Sequence, residues 1–332
     1  MRDMKALRWG LLGTARINRA VIPALRASPR CRLLGVASRS AERAADYARE
    51  WGIERVFPSY DAMLGDPDIE AVYIPLPNAL HKEWTIRAAR AGKHVLCEKP
   101  LALTVEDCDA VAVAAREGGV AVAEAFMYRH HPQTAQVREI VASGALGPLR
   151  LVRGSFSFTL TRPGDVRLDP SLGGGSLWDV GCYPLGFART VLGREPTEAF
   201  GWQHTGPTGV DLTFAAQLRF PGDMFVQFDC SFELPLRSEM EIVGAEATLT
   251  VLQPFKPGAE ASLLLRRGDR IETIGVDQAD LYGGEVEDLA AAALDGKRPV
   301  VSLADSRANV AALQALLRSA KENGPVPIEA RS

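Results

Sequence analysis

No charge of one sign dominates the sequence. Its 332 residues include 38 basic and 41 acidic side chains, a formal net charge of −3. That balance excludes the electrostatic footprint of a nucleic-acid binder or an anionic-membrane binder, and it favours a neutral or modestly charged small molecule as partner. Cysteine is sparse and unpatterned. Cys31, Cys97, Cys108, Cys182 and Cys230 are scattered, odd in number, and form no Cys-x-x-Cys pair. Buried or half-buried thiols in a reducing cytoplasm are expected rather than a disulfide framework. No His, Cys or carboxylate cluster has metal-ligand spacing. His130 and His131 are neighbours, which point to different faces of a helix, so no metal is expected. The N-terminal stretch MRDMKALRWGLLG has only a short apolar part. It reads neither as a signal peptide nor as a transmembrane span, so a cytoplasmic protein without a membrane partner is expected. At 47% hydrophobic and 24% charged the chain has a globular composition, and its length fits two domains.

The first third alternates between apolar runs and helix-like stretches. Strands are expected at 6–12, 32–38, 71–77, 94–99 and 120–126, and helices at 15–28, 40–52, 81–93 and 104–119, the last capped by Thr104. Repeated βα units with fully apolar strands predict a parallel sheet covered on both faces. Beyond residue 127 the pattern changes to strands with partial period-two alternation, at 149–160, 212–220, 224–234, 239–251 and 261–267. The fold class expected is α/β: a Rossmann domain over 1–126, then an α+β domain over 127–332 with a large, mostly antiparallel open sheet. The C-terminal helical stretches are able to pack back on the first domain. An open sheet with one uncovered face also predicts a homodimer or homotetramer.

The first strand runs into Gly10-Leu11-Leu12-Gly13-Thr14-Ala15-Arg16-Ile17. This is a Gly-x-x-Gly-x-Ala variant of the dinucleotide turn. Gly13 allows the tight turn, and Ala15 is small enough for a pyrophosphate to approach the helix N-terminus. A glycine turn alone is often only a turn, but this one sits between the first strand and first helix of a βαβ unit. The second strand ends Ala37-Ser38-Arg39-Ser40, with no Asp or Glu to bind the ribose hydroxyls of NAD. Arg39 can pair with a 2′-phosphate and Ser38 and Ser40 can donate to it, so the cofactor expected is NADP(H). Taken alone, Arg39 reads equally as a solvated loop arginine.

Two more strand ends carry unusual residues: Pro75-Leu76-Pro77-Asn78 with His81, and Glu98-Lys99-Pro100. Ligands of open α/β sheets bind at the carboxyl ends of strands, which directs Lys99 to the nicotinamide end of the cleft. Alone, Glu98-Lys99 reads as a charged surface turn. Together with Glu124-Ala125-Phe126-Met127-Tyr128-Arg129 and Gly173-Gly174-Gly175-Ser176-Leu177-Trp178-Asp179-Val180-Gly181-Cys182-Tyr183-Pro184, these motifs resemble the glucose–fructose oxidoreductase/inositol dehydrogenase (Gfo/Idh/MocA) family over nearly the whole chain. The resemblance implies a Rossmann domain, a second domain on an open sheet often used for oligomerisation, and Lys99 as catalytic lysine. The usual second-domain pair is Asp with His four residues later. Asp179 and Tyr183 depart from it and resemble the branch with tyrosine there: glucose–fructose oxidoreductase, dimeric dihydrodiol dehydrogenase, NADP-dependent D-xylose dehydrogenase and NDP-ketosugar reductases. Those relatives mostly use NADP.

On a helix, positions 179 and 183 share one face. A free tyrosine has a pKa of about 10, and a neighbouring ammonium lowers it. The expected roles follow. Tyr183 exchanges the proton with the substrate oxygen, Lys99 holds that oxygen and tunes Tyr183, and Asp179 positions substrate or Lys99. Hydride moves between a sugar or cyclic-diol carbon and the nicotinamide. Pro75, Leu76, Asn78, His81 and Glu98 join the cofactor set, His81 either contacting the nicotinamide ribose or capping the helix it begins. Arg129, His130, Arg162, Asp165 and Arg167 lie in segments that resemble substrate-lining ones, though each reads alone as surface charge. An NDP-ketosugar reductase is the alternative enzyme, and an NADP-binding regulator without catalysis is the alternative of another class. The regulator has no need to keep Lys99, Asp179 and Tyr183 together. A sugar–sugar transhydrogenase with non-exchanging NADP is disfavoured because the first strand begins almost at once, with no N-terminal segment to clasp the cofactor.

Overall fold

The apolar runs of the first third form strands where they are bounded by turn residues, and the Ala-rich stretches between them form helices. A computed structural model describes residues 6–329. Residues 1–5, part of the N-terminal stretch read above, and 330–332 lie outside the described residues. In chain order the first elements are β1 (Leu7–Leu12), α1 (Asn18–Ala27), β2 (Cys31–Ala37), α2 (Ala41–Trp51), β3 (Arg55–Phe57), α3 (Tyr60–Leu64), β4 (Ala71–Ile74), α4 (Asn78–Arg90), β5 (His94–Glu98), α5 (Val105–Gly118) and β6 (Val122–Ala125). The strands pair in parallel in the order β3-β2-β1-β4-β5-β6. That is the doubly wound arrangement, with its switch point between β1 and β4. Thr104 caps α5 by accepting from the Asp107 N–H at 3.1 Å. Gly52 ends α2 with φ 56°. β1 is buried almost throughout because helices cover both faces of the sheet, so its side chains have no polar face to alternate with.

The chain continues with α6 (Pro132–Ala142), β7 (Leu149–Ser157), α7 (Cys182–Leu192), β8 (Glu198–Thr205), β9 (Asp211–Phe220), β10 (Met224–Ser231), β11 (Arg237–Gly244), β12 (Thr248–Leu252), β13 (Ser262–Arg267) and β14 (Arg270–Gly275). It ends with α8 (Gly283–Asp295), α9 (Leu303–Glu322) and β15 (Val326–Pro327). Two compact units result: Met1–Met127 with Tyr282–Arg307, and Tyr128–Leu281 with Ala308–Ser332. Val286, Leu289 and Ala290 of α8 join the core of the first unit with Trp9, Leu11, Val21 and Leu25. The second unit holds a nine-stranded sheet, β14-β13-β12-β11-β7-β10-β9-β8-β15. It is antiparallel except that β7 and β10 run parallel. One face of its central strands packs on α7. The other carries Arg153, Gln217, Gln227, Asp229, Glu239 and Glu241 around a shallow depression of about 530 Å³.

Some local expectations are corrected. Residues 14–17 form a turn, so α1 starts at Asn18. The run 239–251 is two strands, because residues 245–247 turn the chain back: the Gly244 N–H donates to Ala247 O at 2.9 Å. β3, α3, α6, β8, β14 and β15 have no counterpart among the expected elements. They are short or have mixed polarity, so hydrophobic period alone does not reveal them.

Candidate active site

The first unit gathers its chemistry at the carboxyl ends of β1, β2, β4 and β5. Gly13 follows β1 with φ +118°, a conformation that L side chains rarely adopt. Its N–H donates to Ala37 O at 2.8 Å, and its carbonyl accepts from Asn18 Nδ2 at 2.9 Å. A Cβ here would stand 3.3 Å from Leu76 Cδ2 and 3.7 Å from the Tyr60 hydroxyl, so a side chain would crowd both. Thr14, Ala15 and Ile17 are half-buried in the turn and Arg16 is exposed. No side chain caps α1 at Ile17; the N–H groups of Asn18, Arg19 and Ala20 donate to the carbonyls of Ala15, Arg16 and Ile17, so an anion would meet the Gly13–Ile17 turn ahead of the helix. These residues fit a dinucleotide. Gly10 lies inside β1, where a Cβ would collide with Met63 Sδ, so its missing side chain serves packing against α3.

After β2, Ser38 is buried and Arg39 is exposed, without an ion pair among the described residues. Ser40 caps α2, its Oγ accepting from the Arg43 N–H at 3.2 Å, and its own O–H stays available to donate. After β4, Pro75 is buried, Leu76 flanks Gly13, and Asn78 opens α4 behind Pro77. His81 is also corrected. It lies within α4 and is not its cap. It is fully buried, with Nδ1 2.7 Å from Pro100 O and Nε2 2.7 Å from Leu76 O. Burial pushes its pKa down against those two carbonyls, and the Lys99 charge pushes the same way as burial. His81 therefore ties the loop after β4 to the turn after β5. After β5, Glu98 accepts from the Tyr73 hydroxyl at 2.5 Å, and burial, helped by the Glu98 charge, drives the Tyr73 pKa well up. Lys99 is half-buried at the strand end, and the Lys99–Pro100 peptide is cis. Glu124 holds the far side of this turn by accepting from the Leu101 N–H at 2.9 Å.

In the second unit the Gly-rich run leads into a π-helical turn, Leu177–Gly181, before α7 begins. Asp179 and Tyr183 thus straddle a π-to-α junction instead of sharing a uniform α-helix; such wide turns recur at functional sites. Asp179 Oδ2 accepts from Arg167 Nε at 2.6 Å, and Arg167 Nη1 also donates to Asp165 at 3.2 Å. The Asp179 charge is the leading cause that raises the Arg167 pKa. The structure thus joins Asp165, Arg167 and Asp179 into one charge cluster. Tyr183 is 5% exposed, its ring 5.3 Å from Phe156, 5.4 Å from Phe255 and 5.9 Å from Tyr128. Arg129 and His130 sit in a 3₁₀ turn, Met127–His130. Burial, with help from Arg129, pushes His130 down to about 4, so it is neutral near pH 7. Arg162 is exposed, with no ion pair among the described residues.

Sequence reasoning missed Asp211. At the start of β9 its Oδ2 accepts from Ser176 Oγ at 2.7 Å and from the Leu177 N–H at 2.7 Å. Gly175 has φ +119°, and a Cβ there would strike the other Asp211 oxygen. The glycine run is therefore shaped by a buried carboxylate from the sheet. Nothing in the local sequence Val210-Asp211-Leu212 signals that contact.

Two family models match the chain. One, described as an oxidoreductase family with an NAD-binding Rossmann fold, covers residues 7–126, and the other, the GFO/IDH/MocA C-terminal domain, covers 134–250. The chain belongs to the Gfo/Idh/MocA oxidoreductase family. Among the relatives of this Gfo/Idh/MocA protein, D-xylose 1-dehydrogenase (NADP(+)) 2 of Haloferax volcanii is 37% identical over 97% of this chain and 99% of its own. The 3-ketoreductase KijD10 of Actinomadura kijaniata, in complex with NADP and TDP-benzene, superposes with a TM-score of 0.91 at 32% identity, covering 95% of this chain and 98% of its own. The aldose–aldose oxidoreductase of Caulobacter crescentus, complexed with glycerol, has a TM-score of 0.91 at 27% identity, covering 97% of this chain and 100% of its own. No helix among the described residues is long and apolar enough to cross a membrane, and no group of three His, Cys, Asp or Glu there could hold a metal ion.

Proposed function

We propose that this Gfo/Idh/MocA oxidoreductase uses NADP(H) to interconvert a CH–OH group and a carbonyl on a sugar or cyclic diol, as an aldose dehydrogenase does. The observation that carries the cofactor choice is Arg39: an exposed guanidinium between two serines, without an ion pair among the described residues, where an NAD enzyme needs a carboxylate. NADP in the names of the xylose dehydrogenase and the 3-ketoreductase complex supports it. The Gly13–Ile17 turn ahead of α1 binds the pyrophosphate, and Arg39, Ser38 and Ser40 bind the 2′-phosphate. Leu76 and the Glu98–Lys99 turn line the rest of the dinucleotide. When bound, the cofactor exchanges a hydride with the substrate carbon.

The chain's own residues orient the substrate and move a proton. Tyr183 delivers the proton to, or removes it from, the substrate oxygen, and Lys99 donates a hydrogen bond to that oxygen and favours the phenolate. The aromatic surround of Tyr183 fixes its ring. Asp179, bridged to Arg167, presents its second oxygen to a substrate hydroxyl, with Arg129, His130, Arg162 and Arg167 as further substrate contacts. A homodimer or homotetramer through the open sheet face of the second unit, where Trp202 is 57% exposed, belongs to the same proposal, as does a cytoplasmic setting. Reduction of a ketosugar on a nucleotide carrier is the second reading, favoured by the 3-ketoreductase complex with TDP-benzene.

An initial-rate screen tests the proposal: NADP⁺ and NAD⁺ against aldoses, inositols and diols, followed by the absorbance of reduced nicotinamide. NADP⁺-dependent turnover of an aldose is expected. Tyr183→Phe is expected to lower turnover about 100-fold or more with NADPH affinity nearly intact. Near-wild-type turnover in that variant removes Tyr183 from the chemistry. Tight NADPH binding with no turnover on the panel redirects the substrate to a nucleotide-linked ketosugar.

A further inference from the structure

We infer that Tyr60 is a cofactor-discriminating residue whose hydroxyl donates a hydrogen bond to the 2′-phosphate of NADP(H), completing the anion site begun by Arg39. The inference rests on the NADP(H) reading above. Tyr60 opens α3, and its ring is packed away, 8% exposed and set edge-on to Trp84 at 4.8 Å. The ring needs no hydroxyl for that packing, since a phenylalanine would stack equally well. The hydroxyl instead stands beside the dinucleotide turn, 3.7 Å from the position a Cβ on Gly13 would take. Among the described residues it makes no hydrogen bond, and it is not sealed from solvent. A buried ring that carries an unbonded polar tip to the dinucleotide turn is disposed to meet a ligand there.

Charge narrows the part of the ligand that it meets. Arg39 and Arg43 both act on this hydroxyl, each opposing the rise that burial causes in the Tyr60 pKa. Both guanidinium groups are exposed and neither has an ion pair among the described residues. The hydroxyl therefore lies near the turn that receives the pyrophosphate and feels two cations that attract a further anion. In NADP(H) the group that satisfies both conditions is the phosphorylated adenosine ribose. NADH lacks that phosphate, so a hydroxyl committed to it contributes nothing to NADH binding.

The test is the dissociation constant of NADPH and of NADH for wild type, Tyr60→Phe and Arg39→Ala, read by quenching of tryptophan fluorescence, with cofactor-free melting curves as the folding control. Tyr60→Phe is expected to melt with the wild type, to bind NADPH about tenfold more weakly, and to bind NADH within about twofold of wild type. Equal weakening for both cofactors would place the hydroxyl on a part that they share and overturn the inference, and unchanged NADPH affinity would overturn it too. If wild type prefers NADPH and Arg39→Ala loses that preference while Tyr60→Phe keeps it, the cofactor reading stands and this inference alone falls. If wild type binds both cofactors alike, both fall together.

Discussion

Asp211→Asn separates two effects that a buried carboxylate combines. Asp211 is 5% exposed, and its acid group is lifted from the ordinary 3.8 to about 6, chiefly by burial and against the pull of Ser176 and the Leu177 N–H. Because the folded-state pKa lies above the unfolded one, the unfolded chain loses this proton first as pH rises. The stability from the protonated group is complete below about pH 4 and is lost as pH climbs through about 6. A shift of that size is worth about 3 kcal/mol. An asparagine is neutral throughout and shows no such decline. It also turns an amide N–H toward the backbone N–H groups of Ser176 and Asp211 that bond the carboxylate, a pH-independent loss of about 1–3 kcal/mol. The variant should therefore be less stable than wild type near pH 4 and should match or exceed it by pH 7.5. Urea titrations at several pH values, followed by circular dichroism and by fluorescence of Trp178 and Trp202 in the second unit, measure this. A stability difference that stays constant across the range would refute a raised acid at Asp211, and a difference that widens with pH would reverse its sign.

Arg39→Ala should weaken NADPH binding about 10- to 100-fold and NADH binding less than about threefold, because the lost bonds are charge-assisted and reach only the 2′-phosphate; equal losses in calorimetric titrations would contradict that role. Gly175→Ala must hold a side chain at φ +119° with its methyl against Asp211, so it should destabilise the protein by about 2–4 kcal/mol in the same urea titrations, and unchanged stability would remove the strain from that turn.

The amino-acid sequence by itself determined the doubly wound unit. Its strands are buried on both faces and read as unbroken apolar runs, and residues such as Thr104 and Gly52 mark helix ends locally. It also determined the strand-end motifs at Gly13, Arg39, Leu76 and Lys99, since a βαβ unit always delivers the residues after its strands to one edge of the sheet. Other features were decided only by tertiary structure, because they join residues far apart in the chain. Asp211 reaches across from β9 to shape the glycine turn. Arg167 takes up Asp179, and His81 turns inward to two carbonyls. Gly10 makes room for Met63. The π-helical turn under Asp179 is likewise invisible to a 3.6-residue period, since its extra width comes from what packs around it. Tyr60 shows the same limit. Its place in Ser59-Tyr60-Asp61 signals only a helix start, and the tertiary fold alone brings its hydroxyl to Gly13.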